Sequence, residues 1–152
     1  TADGVERLPE GSFAMEAQVE KYLADTHAIV WYMEDDRRLG QEARAVLDKM
    51  GDGSALIFLS LMSLLEMDYL IQKKKISPKL PELILQEAKP AHSSLQIVDI
   101  GLSLYPSFCE VPSSVIPELP DRILAATALS LKCPLITKDS ALSRWKKLEV
   151  VW

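Results

Sequence analysis

Four acidic side chains stand where charge is hard to keep. They are Asp25 in Tyr22-Leu23-Ala24-Asp25-Thr26-His27, Glu66 in Leu64-Leu65-Glu66-Met67, Asp121 in Pro120-Asp121-Arg122-Ile123-Leu124, and Asp139 in Leu135-Ile136-Thr137-Lys138-Asp139-Ser140. Each lies inside or at the end of an apolar segment, and desolvating an unpaired carboxylate costs several kcal/mol. If the four meet, two carboxylates about 5 Å apart repel by roughly 3 kcal/mol at an effective dielectric near 20. Either one of them takes up a proton or a divalent cation compensates.

Alternating strand-like and helix-like pieces must position these acids. Tyr22 to Ala24 is a short apolar run that ends in Asp25, and His27 to Glu34 reads as a helix. A second helix runs from Gln41 to Met50 and is stopped by Gly51-Asp52-Gly53. Leu56 to Leu59 has the length and flanks of a buried strand. The helix that follows, Leu61 to Lys73, is apolar all round, which predicts burial rather than a surface position. Pro78 to Glu87 reads as a helix entered through proline, and Leu95 to Val98 as a third strand. Pro106, Pro112 and Pro117 break the region from Ile100 to Glu118 into a short helix and a loop. A helix over Asp121 to Leu131, a strand over Pro134 to Thr137, a short helix over Leu142 to Lys147 and a strand over Val150 to Trp152 complete the chain. Strands separated by helices imply an α/β fold with a mainly parallel sheet covered on both faces.

In such sheets ligands bind beyond the carboxyl ends of the strands, where Asp25 and Asp139 fall. Both acids are equally suited to capping the helix that follows. Glu66 shares a helical stripe with Met62, Tyr69 and Leu70, while Asp68 lies on the neighbouring stripe with Leu61, Leu64 and Leu65. Periodicity alone does not choose between the two acids, and Lys73 is a salt-bridge partner within reach. Asp121 opens a helix after Pro120, which suits an N-cap, and Glu118 is close enough to replace it. Arg122 is placed to pair with an acid or to bind phosphate. Thr26, Thr137 and Ser140 flank the aspartates and could orient a carboxylate or form ordinary turn hydrogen bonds.

Composition limits the classes of function. With 152 residues, 48% hydrophobic and 26% charged, the chain is ordinary for one globular domain. Residues 1–20 are polar and without clear periodicity, as expected of an N-terminal extension or an added leader, with Met15 a candidate natural start. Residues 21–152 form the domain. A net charge of −5 argues against nucleic-acid binding through general positive charge, but not against a nuclease with an acidic site. Lys73-Lys74-Lys75 with Lys79, Arg37-Arg38, and Arg144 with Lys146-Lys147 are the local basic patches. Cys109 and Cys133 lack zinc spacing and read as buried free thiols of a reducing, cytoplasmic setting. Ala55 to Met67, the longest apolar stretch, is too short and too interrupted by Ser60, Ser63 and Glu66 to span a membrane. The basic-then-apolar pattern of a signal peptide is absent.

Taken together, these segments resemble the PIN-domain nucleases, in particular the VapC-type ribonuclease toxins of type II toxin-antitoxin pairs. The resemblance covers nearly all of Lys21 to Trp152. It is carried by Tyr22 to His27, by Ser60 to Glu66 followed by Lys73-Lys74-Lys75-Ile76, by Asp121 to Ala128, by Pro134 to Asp139, and by Val150-Val151-Trp152. It implies a three-layer α/β/α PIN-like fold. It also implies that Asp25, Glu66, Asp121 and Asp139 are both the catalytic and the metal-binding residues, with Thr26 and Thr137 in support. One departure stands out: many members carry His-Arg-Asp-Pro before the third acid, where this chain has Ile116-Pro117-Glu118-Leu119-Pro120.

Oxygen donors without a His or Cys set favour Mg²⁺ first and Mn²⁺ second over zinc. The expected activity is hydrolysis of RNA phosphodiester bonds by a metal-activated water, leaving a 5′-phosphate and a 3′-hydroxyl as the family implies. Resemblance further implies an RNA substrate, a homodimer and an antitoxin protein that covers the site. Three alternatives remain: a PIN-like domain that only binds a partner protein, a PIN nuclease of RNA processing outside toxin-antitoxin systems, and a phosphate-handling α/β domain. The last ranks lowest, because an Asp-x-Asp at the first strand and a Gly-rich phosphate loop are both missing.

Overall fold

The computed structural model describes residues 19–152; the expected extension over residues 1–20 therefore lies almost wholly outside the described residues. Five strands form one all-parallel sheet in the order β3-β2-β1-β4-β5: β1 Glu20–Ala24, β2 Ala55–Ser60, β3 Leu95–Val98, β4 Leu135–Ile136 and β5 Val150–Val151. Seven α-helices flank it among the described residues: α1 Thr26–Met33, α2 Gln41–Asp48, α3 Leu61–Gln72, α4 Leu80–Ala88, α5 Tyr105–Glu110, α6 Leu119–Leu131 and α7 Ser140–Arg144. A 3₁₀ turn, Leu102–Leu104, leads into α5. The expected α/β fold with a parallel sheet is what the chain adopts.

Period-two alternation divides the strands between two cores. Leu23 and Leu135 point into one apolar cluster with Leu124, Ala125, Ala128 and Leu142. Their neighbours Ala24 and Ile136 point to the opposite face, with Ile29, Leu47, Ile57, Leu59, Met67 and Ile84. Helices on both faces bury the sheet, so its strands need no polar side. The central strand β1 lies between β2 and β4, and the chain order reverses across β1 and β4. That reversal opens a crevice at the carboxyl ends of the two strands.

Several expectations shift in detail. Helix α3 is not buried all round: Ser63 and Met67 are buried, while Leu65 and Tyr69 are more than half exposed. One stripe is enough to fix it to the core, and the rest of its apolar surface stays open. Helix α6 starts at Leu119, because Pro120 fits the first turn, where backbone N–H groups have no intrahelical partner. Asp121 is therefore a first-turn residue; Glu118 is the cap residue, and its side chain makes no cap hydrogen bond. Helix α7 begins at Ser140 rather than Leu142, since Asp139 caps it. Pro106 sits inside the first turn of α5 instead of breaking it. Both cysteines are free; Cys133 is buried as expected, whereas Cys109 is exposed.

Candidate functional site at the carboxyl edge of the sheet

Asp25 follows the last residue of β1, and its backbone N–H donates to the Ile136 carbonyl of β4 at 2.9 Å. This ties the first acid to the strand that leads to the fourth. Its Oδ1 accepts the Thr26 N–H at 2.6 Å, which makes it the cap of α1, and its Oδ2 accepts the Thr137 hydroxyl at 2.6 Å. Thr137, itself buried, also accepts the Asp139 N–H at 3.1 Å. One threonine thus fixes both aspartates across the crevice. Asp139 Oδ1 accepts the Leu142 N–H at 3.0 Å. Capping and a place at the crevice hold together for both residues.

Thr26, fully buried, donates its hydroxyl to Ser63 Oγ at 2.9 Å and so ties α1 to α3. The register of α3 that results turns Glu66 toward Asp25 and leaves Asp68 exposed, where it accepts a hydrogen bond from Gln72. Of the two acids that periodicity left open, Glu66 is the one that faces Asp25. Lys73 does not pair with Glu66; its ammonium lies 4.7 Å from the Tyr69 ring centroid. Helix α6 packs against β1, β4 and α3 through the buried run Leu124 to Ala128, bringing Asp121 to the same edge.

Mutual influence among the acids is visible in their protonation. Burial pushes Asp25 and Glu66 above the ordinary carboxylate range. Hydrogen bonds from Thr137 and the Thr26 N–H, together with His27, oppose the rise at Asp25, while Asp139 adds to it. At Glu66 the Thr26 side chain and His27 oppose it, and Asp25 adds to it. Asp121 is raised to about 7, first by burial and then by the charges of Asp139, Asp25, Glu66 and Glu118. Asp121 therefore senses all three of the other acids. Among the described residues the ion pairs are Arg38–Asp36, Arg44–Asp35 and Lys49–Glu20, and none neutralises the four.

The acids share a field without forming a closed cage. Among the described residues no three His, Cys, Asp or Glu side chains are gathered closely enough to grip a metal ion directly. Asp25 and Asp139 line a cavity of about 360 Å³ with His27, Trp31, Lys138 and Trp152, while Glu66 and Asp121 stand outside its wall. In donor chemistry the cluster fits a hard divalent ion: carboxylate oxygens only, under-neutralised and at an open edge. Mg²⁺ in particular keeps several waters and takes one or two protein carboxylates, so a three-ligand cage is not required of it.

A PIN-domain family model matches residues 22–148, most of the chain and the whole of this edge. The chain belongs to the PIN-domain family. No curated protein matches it. Among solved structures, its fold is similar to a VapBC2 complex from Rickettsia felis bound to a DNA fragment from their promoter, with a TM-score of 0.59 and 18% identity over 86% of this chain and 96% of the other. A toxin-antitoxin complex from Klebsiella pneumoniae gives 0.58 and 20% identity over 86% and 96%. The FitAB complex bound to a DNA fragment gives 0.56 and 17% identity over 85% and 92%.

Two outcomes at this edge of the PIN domain differ from the sequence reading. Arg122 neither pairs with an acid nor is free: its guanidinium lies 4.3 Å from the Phe108 ring centroid and donates to the Val111 carbonyl at 3.2 Å. Nε of Arg122 is buried without a hydrogen-bond partner among the described residues. The aromatic wall of the cavity also escaped the motif reading, because Trp31 and Trp152 sit far apart in sequence and neither neighbours a key acid. Lys138, between Thr137 and Asp139, was the available signal. No helix among the described residues is long and apolar enough to cross a membrane.

Proposed function

We propose that this PIN domain is a metal-dependent endoribonuclease and the toxin of a toxin-antitoxin pair, acting in the cytoplasm. The observation that carries the reading is the gathering of four acids at one edge of the sheet, where Asp121 rises to about 7, first through burial and then through the charges of Asp139, Asp25 and Glu66. Asp25, Glu66, Asp121 and Asp139 would hold the ion, Mg²⁺ or Mn²⁺, partly through water, and would be the catalytic set. When bound, the ion supplies charge for the phosphoryl oxygen and a water of lowered pKa. Asp25 is the fixed reference of the site, since Thr26 N–H and the Thr137 hydroxyl hold its two oxygens. Thr137 keeps Asp139 in register with it, and Thr26 does the same for α3 and Glu66 through Ser63. Asp121, held partly protonated near neutrality, is one group that must release a proton for the set to carry its full charge.

The partners follow from the same reading. The similar solved structures are toxin-antitoxin complexes, which supports an antitoxin protein for this chain. Exposed Leu65 and Tyr69 on α3 and Leu83 and Leu85 on α4 offer it apolar surface. Trp31 and Leu80 are buried and offer none. For a homodimer we assign the apolar hollow of about 450 Å³ between the 3₁₀ turn, α5 and α6, where Leu102 is 91% exposed.

Total RNA incubated with Mg²⁺ should be cut by the parent and left intact by Asp25→Asn, with 5′-phosphate and 3′-hydroxyl ends and an unchanged far-UV spectrum. Full activity of that variant would refute the assignment. That no three acids among the described residues gather closely enough to grip an ion favours a second reading, a PIN domain that only binds a protein. A melting temperature indifferent to Mn²⁺, together with intact RNA, would select it.

A further inference from the structure

The cavity beside the acids has a second wall of a different chemistry. Trp31 and Trp152 meet edge to face at 5.8 Å, and the His27 ring lies 5.4 Å from Trp31. Trp152 is held hard against the start of α2: a Cβ on Gly40 would fall 2.6 Å from its backbone carbon and 2.7 Å from its indole Cδ1. Only a glycine at position 40 leaves the indole where it is.

Two cations lie on the Trp31 ring, Arg38 at 4.6 Å and Lys138 at 4.8 Å from its centroid. They are not equivalent. Asp36 binds the Arg38 guanidinium through two hydrogen bonds of 2.8 and 3.1 Å. Lys138 has no carboxylate partner among the described residues, although it is exposed and adjoins Asp139. Its ammonium is parked on an aromatic face at the lip of an acidic crevice, and an anion arriving there gains a charge partner without breaking an ion pair.

We propose that this cavity is a nucleotide subsite, in which Lys138 binds a phosphate of single-stranded RNA next to the scissile one and the attached base rests on Trp152 and His27. The inference rests on the ribonuclease reading and extends it to how substrate is held. A volume of about 360 Å³ falls within the ordinary range of small-ligand pockets. Aromatic faces accept any base, because every base has a π-face. A basic side chain of a protein partner is the competing occupant; the carboxylates would attract it, but Lys138 would repel it. The phosphate pairs with Lys138 and the base covers the aromatic faces, while the carboxylates are left to the divalent ion of the proposed site.

The test uses the full chain and adenosine 5′-monophosphate, followed on the three indole N–H resonances in a ¹⁵N spectrum. Trp31 and Trp152 should shift on titration and Trp145, which belongs to the apolar cluster around Leu124 and Leu142, should not. Lys138→Gln should weaken the nucleotide about tenfold. In Mg²⁺-dependent cleavage of a short single-stranded RNA, the same variant should raise KM about tenfold, keep kcat within twofold, and reduce the salt slope of binding by about 0.7. Gly40→Ala should shift the Trp152 resonance in the free protein and weaken the nucleotide as well. RNA cleavage by the parent with no selective shift of Trp31 and Trp152 would overturn the subsite and leave the nuclease standing. Selective shifts lost in Lys138→Gln, with RNA uncut by the parent, would support the subsite and sink the nuclease reading. Selective shifts produced by an arginine-containing peptide but not by the nucleotide would hand the cavity to a protein partner.

Discussion

Asp121→Asn should stabilise the metal-free protein at pH 8, against the usual direction for loss of an acid in the first turn of a helix. The carboxyl of Asp121 rises from an ordinary value near 3.8 to about 7, through burial and the charges of Asp139, Asp25 and Glu66. At about 1.4 kcal/mol per pKa unit, that rise corresponds to about 4 kcal/mol of folded-state penalty. Asp121 is only partly buried, and solvent screening lowers the figure to roughly 2 kcal/mol. Asparagine also gives up the favourable contact of an acid with the helix N-terminus, about 0.5 kcal/mol, which leaves a net gain of about 1.5 kcal/mol. The sign depends on pH. Below about 4 the carboxyl is protonated in folded and unfolded chains alike, so the substitution brings nothing. Between about 4 and 7 the unfolded chain ionises freely while the folded one resists, and the parent loses stability; above about 7 the penalty is complete. Thermal unfolding of both proteins at pH 3.5, 6 and 8 in EDTA should give melting-temperature gains of about 0, an intermediate value, and roughly 3 to 6 °C. Millimolar Mn²⁺ should stabilise the parent more than the variant and close the gap. A variant less stable than the parent at pH 8, or one equally stabilised at pH 3.5, would show that Asp121 is not held against the charges of its neighbours.

Thr137→Val should lower the melting temperature by the equivalent of about 1 to 2 kcal/mol and reduce cleavage at least tenfold, because the buried hydroxyl joins Asp25 to Asp139; a variant with parental activity would remove Thr137 from the site. Asp68→Asn should leave cleavage and stability within error, since Asp68 is exposed and accepts a hydrogen bond from Gln72, while Glu66→Gln should abolish cleavage; the reverse order would transfer the role to Asp68. Charge reversal at exposed Lys146 and Lys147 should weaken RNA binding and flatten its salt dependence, read by filter binding from 50 to 200 mM salt; unchanged binding would take that patch off the RNA track. Leu102→Lys should convert a dimer to a monomer in light scattering without lowering the melting temperature of the monomer; a dimer that persists would move the interface elsewhere.

The elements were legible where local chemistry and packing agree. Tyr22 to Ala24 and Leu95 to Val98 are short apolar runs with clear stops, and they are strands at those residues. Asp25 and Asp139 could be placed at the carboxyl edge because each lies just past the end of a strand and caps the helix that follows. Glu66 and Asp68 could not be separated, since the face that α3 presents is set by Ser63 and Thr26, thirty-seven residues apart. The same tertiary choice exposes Leu65 and Tyr69, which apolar content alone assigns to the core. Arg122 illustrates the reverse error: proximity to acids in sequence suggested an ion pair, but the helix turns the guanidinium to Phe108 and the Val111 carbonyl. The aromatic wall depends on Trp31, Trp152 and Gly40 meeting across α1, β5 and α2, which no local pattern encodes.

Calorimetric titration of Mn²⁺ into the parent and into Asp25→Asn, Glu66→Gln, Asp121→Asn and Asp139→Asn, at pH 6.5 in buffers of different ionisation enthalpy, asks most directly whether the four acids act as one cation site. Saturable binding by the parent with net proton release, weakened in all four variants and with the release reduced in Asp121→Asn, is the predicted result. Parental affinity in any of the four, or no binding by the parent, would contradict it.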